Sequence, residues 1–196
     1  QKKNWSPPYV FFAYELVMGI TYSEPMYSVV DGKNVFRGVA AVDYTLGGIS
    51  EFLLENYINS STTVAIFEEY DPNYMIATST GSETGLKVRK DDETEPCTDF
   101  VSDLCTVVRI KVEDLGNVVP DAKPMDAIVS RAFVRQRDEG FPSDRLVTVK
   151  GVEEDDGQSS VDSALFVSQT LVFELTDAPL KWRVLIVSPA TVSDDD

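Results

Sequence analysis

The stretch Met26-Tyr-Ser-Val-Val30-Asp31-Gly32-Lys33-Asn-Val35-Phe-Arg-Gly38-Val-Ala-Ala-Val42 reads as two β-strands on either side of a tight turn. Valine, tyrosine and phenylalanine suit a pleated surface, and Asp-Gly tolerates the backbone conformation that a short hairpin loop demands. Further short runs of β-branched and aromatic residues lie around it, at 11–22, 38–43 and 63–68, each bounded by turn residues. Asp71-Pro72-Asn73 is a second turn, joining runs at 64–70 and 74–79. Between the two hairpins Ile49, Phe52, Leu53, Asn56 and Tyr57 recur at helical spacing, which predicts one amphipathic helix opening at Gly47-Gly48. Strand, hairpin, helix, hairpin is the order of an α+β domain with an antiparallel sheet.

From 81 to 103 the composition turns to Lys, Asp, Glu, Thr and Ser, which reads as a boundary with a cysteine loop closing it. A second unit follows. Residues 107–112 are apolar enough for a strand or the start of a helix, and Pro120 and Pro124 then interrupt the chain. Met125, Ile128, Val129, Ala132 and Phe133 mark a helix entered through Lys123-Pro124. Three strands are expected at 146–149, 164–175 and 182–187. An acidic tip at 153–160 joins the first two, and a turn at Asp177-Ala178-Pro179 joins the last two. The tail Asp194-Asp195-Asp196 is expected to fray. Each half thus predicts its own antiparallel sheet with a packed helix. The expected divisions are 1–90, a linker with the cysteine loop at 91–106, and 107–196.

Across the whole chain 33 acidic residues face 17 basic ones, for a formal charge of −16. Such a field repels nucleic-acid phosphates and anionic lipid headgroups, so nucleic acid is not an expected partner. Arg131, Arg135 and Arg137 stand among Asp126, Asp138 and Glu139 and read as a solvated helix face. No apolar run reaches the roughly 18 residues that a spanning helix needs, and no apolar region of a signal peptide follows Gln1-Lys-Lys-Asn-Trp5.

Cys97 and Cys105 are the two cysteines, eight positions apart in a polar segment. A disulfide there would restrict the unfolded chain by roughly 2–3 kcal/mol and would imply an oxidising compartment; two reduced, unrelated thiols are the alternative. The sequons Asn59-Ser-Ser and Asn4-Trp-Ser fit secretion, with Asn59 the candidate glycosylation site.

Trp5-Ser-Pro-Pro-Tyr9, Ile20-Thr-Tyr22-Ser-Glu-Pro25-Met-Tyr27, Asp31-Gly32, Gly38-Val-Ala-Ala-Val-Asp43 and Ile49-Ser-Glu-Phe-Leu53, in that order, resemble the membrane-distal module of double Cache domains. Tyr74-Met-Ile-Ala-Thr-Ser79 looks like that module's last hairpin strand, and Leu180-Lys-Trp182-Arg-Val-Leu-Ile-Val-Ser-Pro189 resembles the closing strand of the membrane-proximal module. The flavour is closest to ectodomains of eukaryotic transmembrane nucleotide cyclases. The resemblance implies an α+β chain of two PAS-like Cache modules, the distal one lacking its N-terminal part. Its implied place is the extracellular side of the plasma membrane, or secretion.

Catalytic constellations are missing from the residues. The chain has no histidine, so a Ser-His-Asp or Cys-His arrangement cannot be built, and neither phosphate-cradling glycine motif occurs. Asp155-Asp156-Gly157 lacks the alternating spacing of a calcium loop. No catalytic residue, metal site or cofactor is expected. What the resemblance implies instead is a ligand site: Asp43 matches the aspartate that pairs with a ligand ammonium, and Tyr9 and Tyr22 match aromatics facing the pocket. Asp43 could equally cap the following helix, and the two tyrosines could fill core. The family's Arg-x-Trp-Tyr segment is absent and Phe11 stands where its motif carries Asp, so an amino-acid carboxylate finds no arginine clamp.

Two functions follow. One is a non-catalytic, extracytoplasmic sensor domain of a transmembrane receptor that binds a small molecule in the distal module. The other is a structural or protein-interaction module of a secreted or surface assembly. The partners admitted are a small-molecule ligand, a chain or preceding segment completing the distal module, and a second copy in a homodimer.

Overall fold

The computed structural model of the chain describes residues 4–12, 16–69, 72–92, 95–97, 104–118, 122–142, 145–150, 165–174 and 181–190. The acidic tip at 153–160, the turn at 177–179, Asp71 and the tail 194–196 lie outside the described residues.

Short strands β1 (Asn4–Trp5) and β2 (Tyr9–Phe12) lead into two long ones, β3 (Leu16–Val30) and β4 (Lys33–Thr45). The β3–β4 turn is the expected one: Asp31 and Gly32 both sit at positive φ, 50° and 73°. Such a pair matches the twist of the flanking strands. All pairing in this first sheet is antiparallel, with β1, β2 and β4 each against β3. Helix α1 (Leu46–Tyr57) follows directly, entered one residue earlier than its paired glycines suggest.

The second sheet has the order β6-β5-β11-β10-β9, from β5 (Thr63–Glu68), β6 (Met75–Thr78), β9 (Val147–Lys150), β10 (Leu165–Glu174) and β11 (Lys181–Pro189). This corrects the expectation of one sheet for each half. Strand β5 pairs along β11, from Trp182 opposite Glu68 to Val187 opposite Thr63. The physical reason is that both strands are apolar on both faces, which suits the middle of a sheet covered on each side. On one face Val64, Ala77 and Trp182 meet Leu46 and Leu53 of α1 and Ile20 of β3. On the other, Ala65, Phe67, Leu185 and Val187 meet Ile128, Val129, Ala132 and Phe133 of the helix Pro124–Asp138. The Phe67 and Phe133 rings meet edge-on at 5.1 Å. Truncating a wholly buried phenylalanine of this kind costs about 3–5 kcal/mol.

The polar stretch read as a boundary holds structure of its own. Gly85–Arg89 (β7) pairs antiparallel with Cys105–Arg109 (β8) as a two-stranded ribbon. Two short helical turns, Val112–Asp114 and Leu115–Val118 (α2), then lead to Pro124–Asp138 (α3). Gly116 packs so closely on Ala127 that a Cβ there would lie 2.7 Å from the Ala127 Cα. The described architecture is α+β: antiparallel sheets with a few helices.

Candidate functional site

In β3 and β4 successive side chains point to opposite faces. Thr21 lies directly opposite Asp43, and Tyr9 of β2 lies opposite Gly19. Tyr9, Thr21 and Asp43 therefore share one face, where they are hydrogen bonded in a row. The Thr21 hydroxyl donates to Asp43 Oδ1 at 2.6 Å. Since that uses its single proton, the contact between Tyr9 Oη and Thr21 Oγ1 has the tyrosine as donor. The two bonds thus run in one direction, from Tyr9 through Thr21 to the carboxylate. Asp43 Oδ2 accepts no hydrogen bond among the described residues, and Asp43 is exposed.

Tyr22 is on the other face. Its ring packs on Trp5 at 5.1 Å, beside Tyr44, which lies 5.7 Å from the same indole. Its hydroxyl donates to Glu24 Oε2 at 3.3 Å. Of the three residues matched to a ligand site, the structure brings Tyr9 and Asp43 together and puts Tyr22 across the sheet. Asp43 does not cap α1: the cap position is Thr45, without a side-chain bond.

Thr21 is the residue that the sequence reading missed. Its signal lay in the register: once β3 and β4 pair, the residue opposite Asp43 shares its face. Counting outward from Asp31-Gly32 gives the wrong partner, however. Pairs from Val30–Lys33 to Tyr27–Phe36 are in simple register, and then an extra residue on β4 shifts every pair from Met26–Gly38 onward. Without this bulge Asp43 would lie opposite Ile20, which is buried against α1.

The other matched residues stand apart from this row. Cys97 and Cys105 form a disulfide, Cα–Cα 5.9 Å, bracing the β7–β8 ribbon. Asn59 is exposed in the turn after α1, where its amide reaches solvent. Arg131, Arg135 and Arg137 are exposed on α3; Arg135 pairs with Glu139 at 2.7 Å and Arg137 with Glu113 at 2.5 Å. Among the described residues no helix is long and apolar enough to cross a membrane.

No family model matches the chain, and no curated protein does. Among solved structures it is similar to one named Methyl-accepting Chemotaxis protein X, with a TM-score of 0.46 and 14% identity. The similarity covers 96% of this chain and 51% of that one, so the chain spans about half the length of that structure.

Proposed function

We propose that the chain is a non-catalytic, extracytoplasmic ligand-sensing domain of a transmembrane receptor, and that its ligand is a small cationic amine. The observation that carries this reading is the row Tyr9–Thr21–Asp43, in which Tyr9 donates to Thr21 and Thr21 to a carboxylate that keeps an accepting oxygen. An ammonium group supplies the donors and the charge that such an oxygen takes, and the Tyr9 ring offers an aromatic face to the same cation. The disulfide supports a place outside the reducing cytosol.

The magnitude is modest because Asp43 is exposed. Exposed charge pairs contribute about 0.2–1 kcal/mol, so Asp43→Ala weakens an amine by about fivefold at most. Calorimetry with a panel of amines and amino acids tests this on the wild type, Asp43→Ala and Thr21→Val. A binding amine that loses affinity in both variants supports the reading. A panel in which no amine binds, or one that binds both variants as well as the wild type, refutes it.

A second reading, a protein-interaction module of a secreted or surface assembly, has its own support. Nine of the sixteen exposed large apolar side chains among the described residues fall between Met26 and Tyr44.

A further inference from the structure

Beyond Ser23 on β3 and Ala41 on β4, the hairpin has no sheet neighbour among the described residues but itself. It is apolar on both faces. One carries Val39, Val29 and the Tyr27–Phe36 ring pair at 5.9 Å; the other carries Met26, Val30 and Val35. Val29 is 71% exposed and Val39 53%. A two-stranded ribbon is marginal in water by itself, and a contiguous exposed apolar patch marks an interface.

Three observations say what meets its open edge. Residues 26–45 carry two acids (Asp31, Asp43) and two bases (Lys33, Arg37), so the arm is neutral in a chain of charge −16. A copy of this chain, repelled elsewhere, meets the weakest field there. Secondly, β4 has strand pairing on one side only among the described residues, and its regular run from Val39 to Thr45 has no proline or lysine of the kind that guards an edge. An open backbone edge needs a strand as partner; in lipid it would stay unsatisfied. Thirdly, an antiparallel self-pair centred on Ala41 sets the two Asp43 carboxylates about 13 Å apart. That exceeds the screening length of roughly 8 Å at physiological salt.

We infer that the outer edge of β4 is a self-association surface, at which two copies of this chain pair antiparallel about Ala41 and join their first sheets edge to edge. Centred on Ala41 in a strand that ends at Thr45, the shared seam runs over residues 37–45, about 30 Å at the usual rise. It is narrow, which puts the interface at the small end of the specific range and the dissociation constant in the micromolar range.

Sedimentation equilibrium over a concentration series tests the inference on the 196-residue chain. A monomer–dimer equilibrium that tightens with salt is expected. Val39→Asp should weaken it roughly tenfold or more by setting a second carboxylate directly opposite Asp43 of the partner subunit, while Phe52→Asp, exposed on α1, leaves it unchanged. Circular dichroism on both variants checks that the fold is kept. A cross-link readout does not depend on Val39: Ala41→Cys should oxidise to a disulfide-linked dimer, and Phe52→Cys should not. A chain monomeric throughout, or equal cross-linking of the two cysteine variants, overturns the inference. So does flotation of a monomeric chain with zwitterionic vesicles, which would assign the arm to lipid instead.

Discussion

Replacing Ser82 and Asp126, singly and together, measures how firmly the helix α3 is tied to the sheet strands that precede it. Asp126 is wholly buried in the first turn of α3. Its Oδ2 accepts from Ser82 Oγ at 2.5 Å and from the Lys123 backbone N–H at 2.6 Å. Ser82, also buried, belongs to the segment just after β6. Ser82→Ala removes a hydrogen bond to a charged group, about 1.5–3 kcal/mol. Asp126→Ala loses the cap and the favourable charge at a helix N-terminus, and strands the Ser82 hydroxyl, for about 2–4 kcal/mol. The two groups bond each other, so the double variant should fall short of the sum by about 1–2 kcal/mol. Urea unfolding gives all four free energies, followed by far-ultraviolet circular dichroism and by the fluorescence of Trp5 and Trp182. Because β5 and β11 share a sheet, both probes should report one transition. Additivity within about 0.5 kcal/mol would refute the coupling, and two separated transitions would refute the single cooperative unit.

Replacing Cys97 and Cys105 together by serine should lower the unfolding free energy by roughly 2–3 kcal/mol through the freed denatured chain, measurable by the same urea titration; an unchanged midpoint would mean the ribbon does not depend on its bridge. The Asp91 carboxyl is held below its ordinary range by the hydrogen bond and charge of Arg89, 2.9 Å away. Its contribution is therefore present above the unfolded pKa and lost as pH falls through the folded one. Carbon-detected NMR titration should return Asp91 toward the ordinary range in Arg89→Gln, and an unmoved midpoint would discard the pair as the cause.

Much of the local structure was legible because its signals are short-range. Asp31-Gly32 names its own turn, as only a few residues accept positive φ at both positions. Helix α3 declares itself through proline in the first turn and an apolar face: Ile128, Val129, Ala132 and Phe133 are buried as the spacing marks them, Met125 is half-buried, and the buried polar Asp126, Ser130 and Gln136 are not marked by it. The strand β7 was not legible. Gly85-Leu-Lys-Val-Arg89 carries little apolar pattern, and what holds it is the β8 ladder and the disulfide beyond it. The sharing of one sheet by β5 and β11 was likewise hidden, since their separation along the chain leaves no trace in either segment. Only the two-faced apolar character of both hinted that each needed neighbours on both sides.

The candidate site depends on a single residue of register, and this is why it could be only half read. A strand with strict alternation assigns each side chain a face, and one inserted residue reverses the assignment for everything beyond it. Here the insertion falls at Arg37-Gly38, where Gly38 adopts a φ of 153° and Arg37 turns to donate from Nε to Ser28 Oγ at 2.6 Å. That extra residue is what moves Asp43 from the face of Ile20, closed by α1, to the face of Tyr9 and Thr21, open to solvent. The glycine in Gly38-Val-Ala-Ala-Val-Asp43 was visible as a motif position, but its conformation was not. The same bulge leaves Val39–Thr45 as an uninterrupted edge, so the carboxylate row and the open strand share one structural origin. The proposed ligand recognition and the proposed self-association draw on different groups of this sheet: the side chains of Asp43 and Thr21 on its face, and the β4 backbone on its edge.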